Sequence, residues 1–287
     1  MNLNEALAHH PVQHTTIPLG RVAWRSAGAA EAPVLVLLHG IGSGAASWVE
    51  QLRAADRGEL PQRVLAWDAP GYGDSTALAQ AEPKATDYAQ RMWAWLDALQ
   101  IGSITLAGHS LGAMMAAAAC RLQPGRVKSL VLLSPAQGYG TADAAVREAK
   151  LRDRLHSLAT LGPHGMAEKR SAAMLSPAAS PEQIAFIQGV MAQIDPAGYT
   201  QAAHMLSGGD IAADLQGLAC PLAVASGSAD TITPPAACEA LARAHGAPYT
   251  SLGPVGHACA LEAGTAVTRQ LALAAASVPH TYQEASP

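Results

Sequence analysis

The chain has 287 residues, 49% of them apolar, which is enough for one large α/β domain or a core with an inserted subdomain. Its 14% of charged residues and net charge of −4 argue against both a disordered chain and a nucleic-acid platform, and Phe186 is the only phenylalanine, so an aromatic stacking surface for single strands is also unexpected. Cys120, Cys220, Cys238 and Cys259 are widely spaced in apolar contexts, with no C-x-x-C pair to suggest a zinc ribbon or redox dithiol.

The N-terminus, Met1-Asn2-Leu3-Asn4-Glu5, has no basic and then apolar leader pattern, and no apolar run reaches membrane-spanning length. A cytoplasmic protein acting on a small molecule, with neither membrane nor nucleic acid as partner, is the expectation. His14–Ile17 and Arg21–Ser26 read as an antiparallel hairpin. Val34–Leu38 is a continuous apolar run, as in a strand buried on both faces of a parallel sheet. Val64–Trp67, Ile104–Ala107, Leu130–Leu133 and Leu222–Ala225 read the same way. Helical patterns over 45–56, 86–99 and 111–122 lie between the earlier strands, so right-handed βαβ crossovers and a doubly wound sheet are predicted.

The alternation stops between Gln137 and Gln216. Helical patterns at 138–160, 163–175, 181–194 and 197–206 follow one another without a convincing strand, punctuated by Gly162-Pro163, Ser176-Pro177, Ser180-Pro181 and Asp195-Pro196. Residues 137–216 are therefore expected to be a helical cap on a core made of 1–136 and 217–287. Beyond it, a helix at 235–244, a short strand near 248–252 and a final helix from 258 to about 276 are predicted. Ser277–Pro287 reads as a loose tail.

Chemistry concentrates at strand ends. Gly108-His109-Ser110-Leu111-Gly112 stands between an apolar strand and a helix-forming run, the setting of a G-x-S-x-G turn that exposes a serine hydroxyl. Serine needs a base, and the base needs an orienting group. In the order serine, acid, histidine, the next strand end with an acid carries Asp230, and the next histidine at a strand end is His257. His245 lies late in a helix beside Gly246, and His280 lies in the tail. The backbone N–H of Leu111 and of Ile41, in His39-Gly40-Ile41-Gly42-Ser43-Gly44, are the expected oxyanion donors. That glycine-rich loop lacks the Gly-Lys-Ser/Thr of a P-loop and the spacing of a dinucleotide fingerprint.

His39, Gly40, Ser43, His109 and Phe186 are candidate substrate-binding positions. Met166, Met174, Phe186, Met191 and Met205 suit either an acyl pocket or packing of the helical stretch on itself. Arg152, Arg154, Arg170, His156, His164 and His204 suit a substrate carboxylate, but the sequence does not place them. Asp68, Asp74 and Ser75 sit among Pro-Gly and Tyr-Gly turns, where such residues ordinarily make turn hydrogen bonds.

Leu38–Gly44 with Ser47-Trp48, Asp68–Ser75, Gly108–Gly112, Asp230 and Gly256-His257 together resemble the α/β-hydrolase superfamily, from about Val12 to Leu273. Within it the chain resembles small capped bacterial carboxylesterases, enol-lactonases and C–C hydrolases of aromatic ring-cleavage products. The resemblance implies a mostly parallel eight-stranded sheet flanked by helices, a helical cap, a Ser110-Asp230-His257 triad, and neither cofactor nor metal. Ring-fission hydrolases commonly have Asn before the serine and a second glycine after the motif; this chain has His109 and Ala113. Cleavage of a carboxylic ester or lactone is therefore expected, with C–C hydrolysis of a vinylogous 1,5-diketone as the alternative and a non-catalytic ligand receptor as the second.

Overall fold

The computed structural model describes residues 1–276; the tail expected over 277–287, and with it His280, lies outside the described residues. Eight strands form one sheet in the order β1-β2-β4-β3-β5-β6-β7-β8. They are β1 (Gln13–Ile17), β2 (Gly20–Ala27), β3 (Val34–Leu38), β4 (Arg63–Trp67), β5 (Ile104–His109), β6 (Val127–Leu133), β7 (Leu222–Ser226) and β8 (Tyr249–Ser251). β2 runs antiparallel to β1 and β4, and all other neighbours are parallel.

The apolar runs are continuous because both faces of the sheet are covered. Val36 and Leu38 face one cluster, which contains α3 (Ala85–Ala98), α4 (Leu111–Leu122) and α9 (Pro235–Ala244). Leu35 and Leu37 face the other, with α2 (Val49–Asp56), α10 (Cys259–Glu262) and α11 (Gly264–Ala276). The two-residue period of a strand divides one apolar run between two cores. The last helix, expected to be continuous from 258, is broken into α10 and α11 at Ala263.

Two features were not legible as elements. Leu3–Ala8 forms α1, started by a capping box in which Asn2 accepts from Glu5 N and Glu5 accepts from Asn2 N. A 3-10 turn at Ala45–Trp48 precedes α2 where one helix over 45–56 was expected.

Between β6 and β7 lie α5 (Ala144–Arg170), a 3-10 turn at Ala172–Met174, α6 (Pro181–Met191), α7 (Pro196–Gly208) and α8 (Ile211–Asp214). α5 starts later than its pattern suggested because residues 137–140 are tied into an extended connection. Ile211 N donates to Gln137 O at 3.1 Å and Gly140 N to Gly209 O at 2.8 Å. The expected break at Gly162-Pro163 is a kink inside α5, with Gly162 at φ 63°. Ser180-Pro181 and Asp195-Pro196 are N-cap and first-turn pairs, with Ser180 accepting from Gln183 N and Asp195 from Ala197 N and Gly198 N. No described helix is long and apolar enough to cross a membrane.

The strand order reverses at β3, whose neighbours β4 and β5 are reached by connections in opposite directions. In open α/β sheets ligands gather at the carboxyl ends of the strands on either side of such a point. Residues 39–44 and Ser110 leave the sheet there, side by side, since Leu38 pairs with Gly108.

Candidate active site

Ser110 sits between β5 and α4 at φ 53°, ψ −117°, a conformation L-residues rarely adopt. Three hydrogen bonds hold it: Ser110 N to Leu133 O at 3.0 Å, Ala113 N to Ser110 O at 3.0 Å and Ala136 N to Ser110 O at 3.1 Å. Gly112 is required by close approach, because a Cβ there would lie 2.2 Å from Leu38 O. The turn can therefore be tight enough to lift the serine away from the strand.

Asp230 and His257 come from the loops after β7 and β8 and meet at 2.9 Å, Nδ1–H of the imidazole donating to Oδ2. Asp230 Oδ1 accepts from Ile232 N at 2.8 Å and Thr233 N at 3.0 Å, and Oδ2 lies 2.8 Å from the Thr233 hydroxyl. Burial pushes the Asp230 carboxyl upward, but the hydrogen bond and charge of His257 and the Thr233 donors outweigh it and hold it below the usual carboxylate range. A carboxylate fixed on Nδ1–H leaves Nε2 as the lone-pair nitrogen, which is the form that accepts a proton. Thr233 was missed in the sequence. Its signal was the three-residue spacing from Asp230, at which a short polar side chain closes a local turn.

His109 and His39 support the neighbouring loops. His109 Nε2 lies 2.7 Å from the carbonyl of His257 and, since a carbonyl only accepts, carries the proton. Burial, with the positive field of His257, pushes His109 down to about 3, so it is neutral in ordinary solution. His39 accepts from Ala69 N at Nε2 at 3.0 Å, leaving Nδ1–H to donate to Gly40 O at 2.8 Å. The Tyr72 hydroxyl donates to Ile41 O at 2.8 Å. These bonds fix the 39–44 loop through its carbonyls, while Ile41 N and Leu111 N donate to no described residue.

A cavity of about 320 Å³ opens between this end of the sheet and the helical stretch above it. Ser110, Leu111, Ile41 and His257 line it from below. Of the candidate substrate-binding residues, Gly40 and His109 line it and His39, Ser43 and Phe186 do not. The Ser43 hydroxyl is bonded to Ser47, and His39 and Ser43 border a much smaller void beside Trp48. Phe186 packs against Leu3, Ala6, Val49 and Leu261, because the unanticipated α1 supplies it with apolar partners. Met166, Met174 and Met191 line the cavity, whereas Met205 is buried in the core. Asp68, Ser75 and Asp74, expected to make turn bonds, instead tie separate segments together: Asp68 accepts from Ala45 N at 2.8 Å, the Ser75 hydroxyl accepts from Ala23 N at 2.9 Å and donates to Asp68 O at 2.6 Å, and Asp74 lies 2.9 Å from His14 Nε2.

Glu262, in α10, was also missed. Its carboxylate accepts from Ser176 N at 3.0 and 3.1 Å, from the Ser176 hydroxyl at 2.6 Å and from Gly256 N at 2.8 Å. It thereby joins the helical stretch to the loop that carries His257. No local pattern reveals it, since Ser176 lies 86 residues away.

An eight-stranded, mostly parallel sheet with helices on both faces and its polar residues at the carboxyl ends defines a class of α/β protein. The family model described as alpha/beta hydrolase fold matches residues 33–262, and the chain belongs to that family. One curated relative, (E)-2-((N-methylformamido)methylene)succinate hydrolase of Acinetobacter baylyi, is 32% identical over 122 residues, which is 42% of this chain and 44% of the relative. The first curated relatives are each matched over less than half of their own length. Among solved structures, the enol-lactonase from Burkholderia xenovorans LB400 has a TM-score of 0.81 at 22% identity, covering 92% of this chain and all of that one. A thermophilic esterase from Thermogutta terrifontis has a TM-score of 0.80 at 23% identity, covering 93% and 99% of the two chains. The fold is shared with both.

Proposed function

We propose that this α/β-fold hydrolase is a serine enzyme that cleaves a carboxylic ester or lactone of a small molecule. The observation that carries this reading is the meeting of Asp230 and His257 at 2.9 Å beside a cavity that Ser110 enters from a strained turn. His257 Nε2 takes the proton as Ser110 Oγ attacks the carbonyl carbon, and Asp230 stabilises the imidazolium. The N–H groups of Ile41 and Leu111 stabilise the oxyanion, and preorganised donors of this kind contribute ~3–4 kcal/mol each. Collapse of the tetrahedral intermediate breaks the ester C–O bond, and the leaving oxygen takes the proton from His257. Water, deprotonated in turn by His257, attacks the acyl-Ser110 carbonyl and releases the acid and free serine. The helical stretch 137–216 acts as the cap that closes this site, over a core of 1–136 and 217–287.

The esterase and the enol-lactonase that share the fold act, by their names, on bonds of this class. The test is substitution with a panel of substrates: short p-nitrophenyl esters, an enol-lactone and a ring-fission dienoate. Ser110→Ala, His257→Ala and Asp230→Asn should each lower kcat by ~10³–10⁶-fold and non-additively, as groups acting as a unit do. An Asp230→Asn enzyme within tenfold of the parent would mean that another carboxylate orients the base. A dienoate kcat/KM a hundredfold above that of the best ester would replace ester hydrolysis with C–C hydrolysis on the same residues. Tight binding of one compound without turnover of any would indicate a receptor.

A further inference from the structure

We propose that the substrate carries a free carboxylate in addition to the bond that is cleaved, and that Arg154 and Arg170 of α5 hold it. The inference rests on the ester or lactone reading above and narrows it to monoesters of short dicarboxylic acids and to lactones bearing a carboxylate.

The wall of the cavity contains two guanidinium groups and no aspartate or glutamate. Both arginines are half-buried, and neither takes part in an ion pair among the described residues. Five arginines elsewhere have carboxylate partners, Arg53 with Glu50, Arg57 with Glu59, Arg121 with Asp214, Arg126 with Asp97 and Arg243 with Glu239, and the buried Arg91 and half-buried Arg25 donate to the Thr76 and His10 carbonyls instead. Arg154 and Arg170 have neither a carboxylate nor a carbonyl partner among the described residues, and a half-buried cation left so recovers its lost hydration best from an anion. In a cavity whose other walls are largely apolar, that anion arrives with the ligand.

The surroundings of Arg154 fit a carboxylate in particular. Its Nη1 lies 3.3 Å from the hydroxyl of Tyr199, which also lines the cavity and is only 1% exposed. The hydroxyl accepts this bond and keeps its own hydrogen to donate. A guanidinium fork with an O–H beside it presents donors to both oxygens of a planar carboxylate. Tyr199 is held there because α7 docks on the turn after β4: Gly198 is so close to Gly71 that a Cβ on it would lie 1.9 Å from Gly71 O. That turn also carries Tyr72, which holds Ile41. Arg170, beyond the Gly162 kink, lies at the end of α5 that leads to Met174, whose carbonyl accepts from Ala258 N at 2.8 Å beside His257. The two cations thus belong to the two sides of the site, one linked to the oxyanion loop and one to the base loop.

The test compares the p-nitrophenyl monoester of glutaric acid, with its terminal carboxylate free, with the same ester methylated at that carboxylate. For the parent enzyme kcat/KM should favour the anionic ester on the order of tenfold to a hundredfold, the scale of a charged hydrogen bond. Added salt should erode the preference, chiefly through KM. Arg154→Gln and Arg170→Gln are measured on both esters, and a fall of the ratio in either variant supports the proposal. A parent enzyme that prefers the neutral ester overturns it, and so does a ratio unmoved in both variants. The parent ratio decides the matter alone if the variants fail to fold. Failure of the underlying reading looks different: neither ester is cleaved, or cleavage survives Ser110→Ala.

Discussion

The side chain of His109 donates a hydrogen bond to the main-chain carbonyl of His257 at 2.7 Å, and the two rings lie 4.8 Å apart. The residue before the candidate nucleophile thus holds the backbone of the candidate base, across 148 residues of sequence. His109 lines the cavity as well, but its hydrogen bond gives it a positioning role that does not depend on what the cavity contains.

His109→Phe keeps a ring in place and leaves the buried His257 carbonyl without a donor. Loss of such a partner costs ~1–3 kcal/mol of stability. The fall in activity, on the order of tenfold if the base moves by a fraction of its hydrogen-bond length, should appear mainly in kcat. His109→Gln, which offers an amide N–H at similar reach, should recover part of the loss. Stopped kinetics on one ester, with urea unfolding of the same samples, check both numbers. Equal kcat in the Phe variant and the parent would remove the positioning role.

Stability should fall as the pH is lowered, in two windows. Burial pushes His10, His39 and His109 below an ordinary histidine, His109 to about 3. The unfolded chain, whose histidines titrate near 6.5, therefore binds more protons than the folded one as the pH drops below that value. Their contribution is complete above about pH 6.5 and is lost as the pH falls toward the folded values. Asp230, held below the carboxylate range, adds a loss that begins below about pH 3.9, where unfolded aspartate protonates. Urea unfolding from pH 7.5 to 4.5 should show the first window, and His109→Phe should flatten it by up to about 1.4 kcal/mol per pH unit. A stability constant from pH 5 to 7 would contradict the histidine assignment.

Glu262→Ala removes the acceptor for Ser176 N, the Ser176 hydroxyl and Gly256 N together. Bonds to a charged acceptor contribute ~1.5–3 kcal/mol each, and since Glu262 is only partly buried and water replaces part of them, a loss of ~2–4 kcal/mol is expected. Glu262→Gln keeps one carbonyl oxygen and should lose less. Because Gly256 precedes His257, kcat should fall in the same order as Tm. A Glu262→Ala protein with parental Tm would show that solvent replaces these bonds.

The legible parts of the molecule were those encoded locally. Val34–Leu38 and its counterparts announce buried strands by composition alone, and Ser180-Pro181 announces a helix start by its capping chemistry. The sequence pairs Asp230 with His257 because strand ends gather at one edge of a parallel sheet, and the structure brings the two side chains together. What escaped depends on partners distant in sequence. The position of Phe186 is decided by α1, that of Glu262 by Ser176, and the placing of Arg154 by Tyr199 and the docking of α7. Helical periodicity tells which residues share a face but not what that face meets. Thr233 lay between these cases, close to Asp230 in sequence but without a hydrophobic pattern to mark it.

The bond pattern at Glu262 bears on how such chains can be recombined. Ser176 is joined to Glu262 partly through its main-chain N–H, which any residue except proline supplies. A foreign segment spliced in across position 176 therefore keeps the main-chain part of this anchorage beside His257 wherever its backbone follows the same path there, and loses only the hydroxyl bond if serine is replaced. The path of the backbone at that position matters more than the residue that follows it.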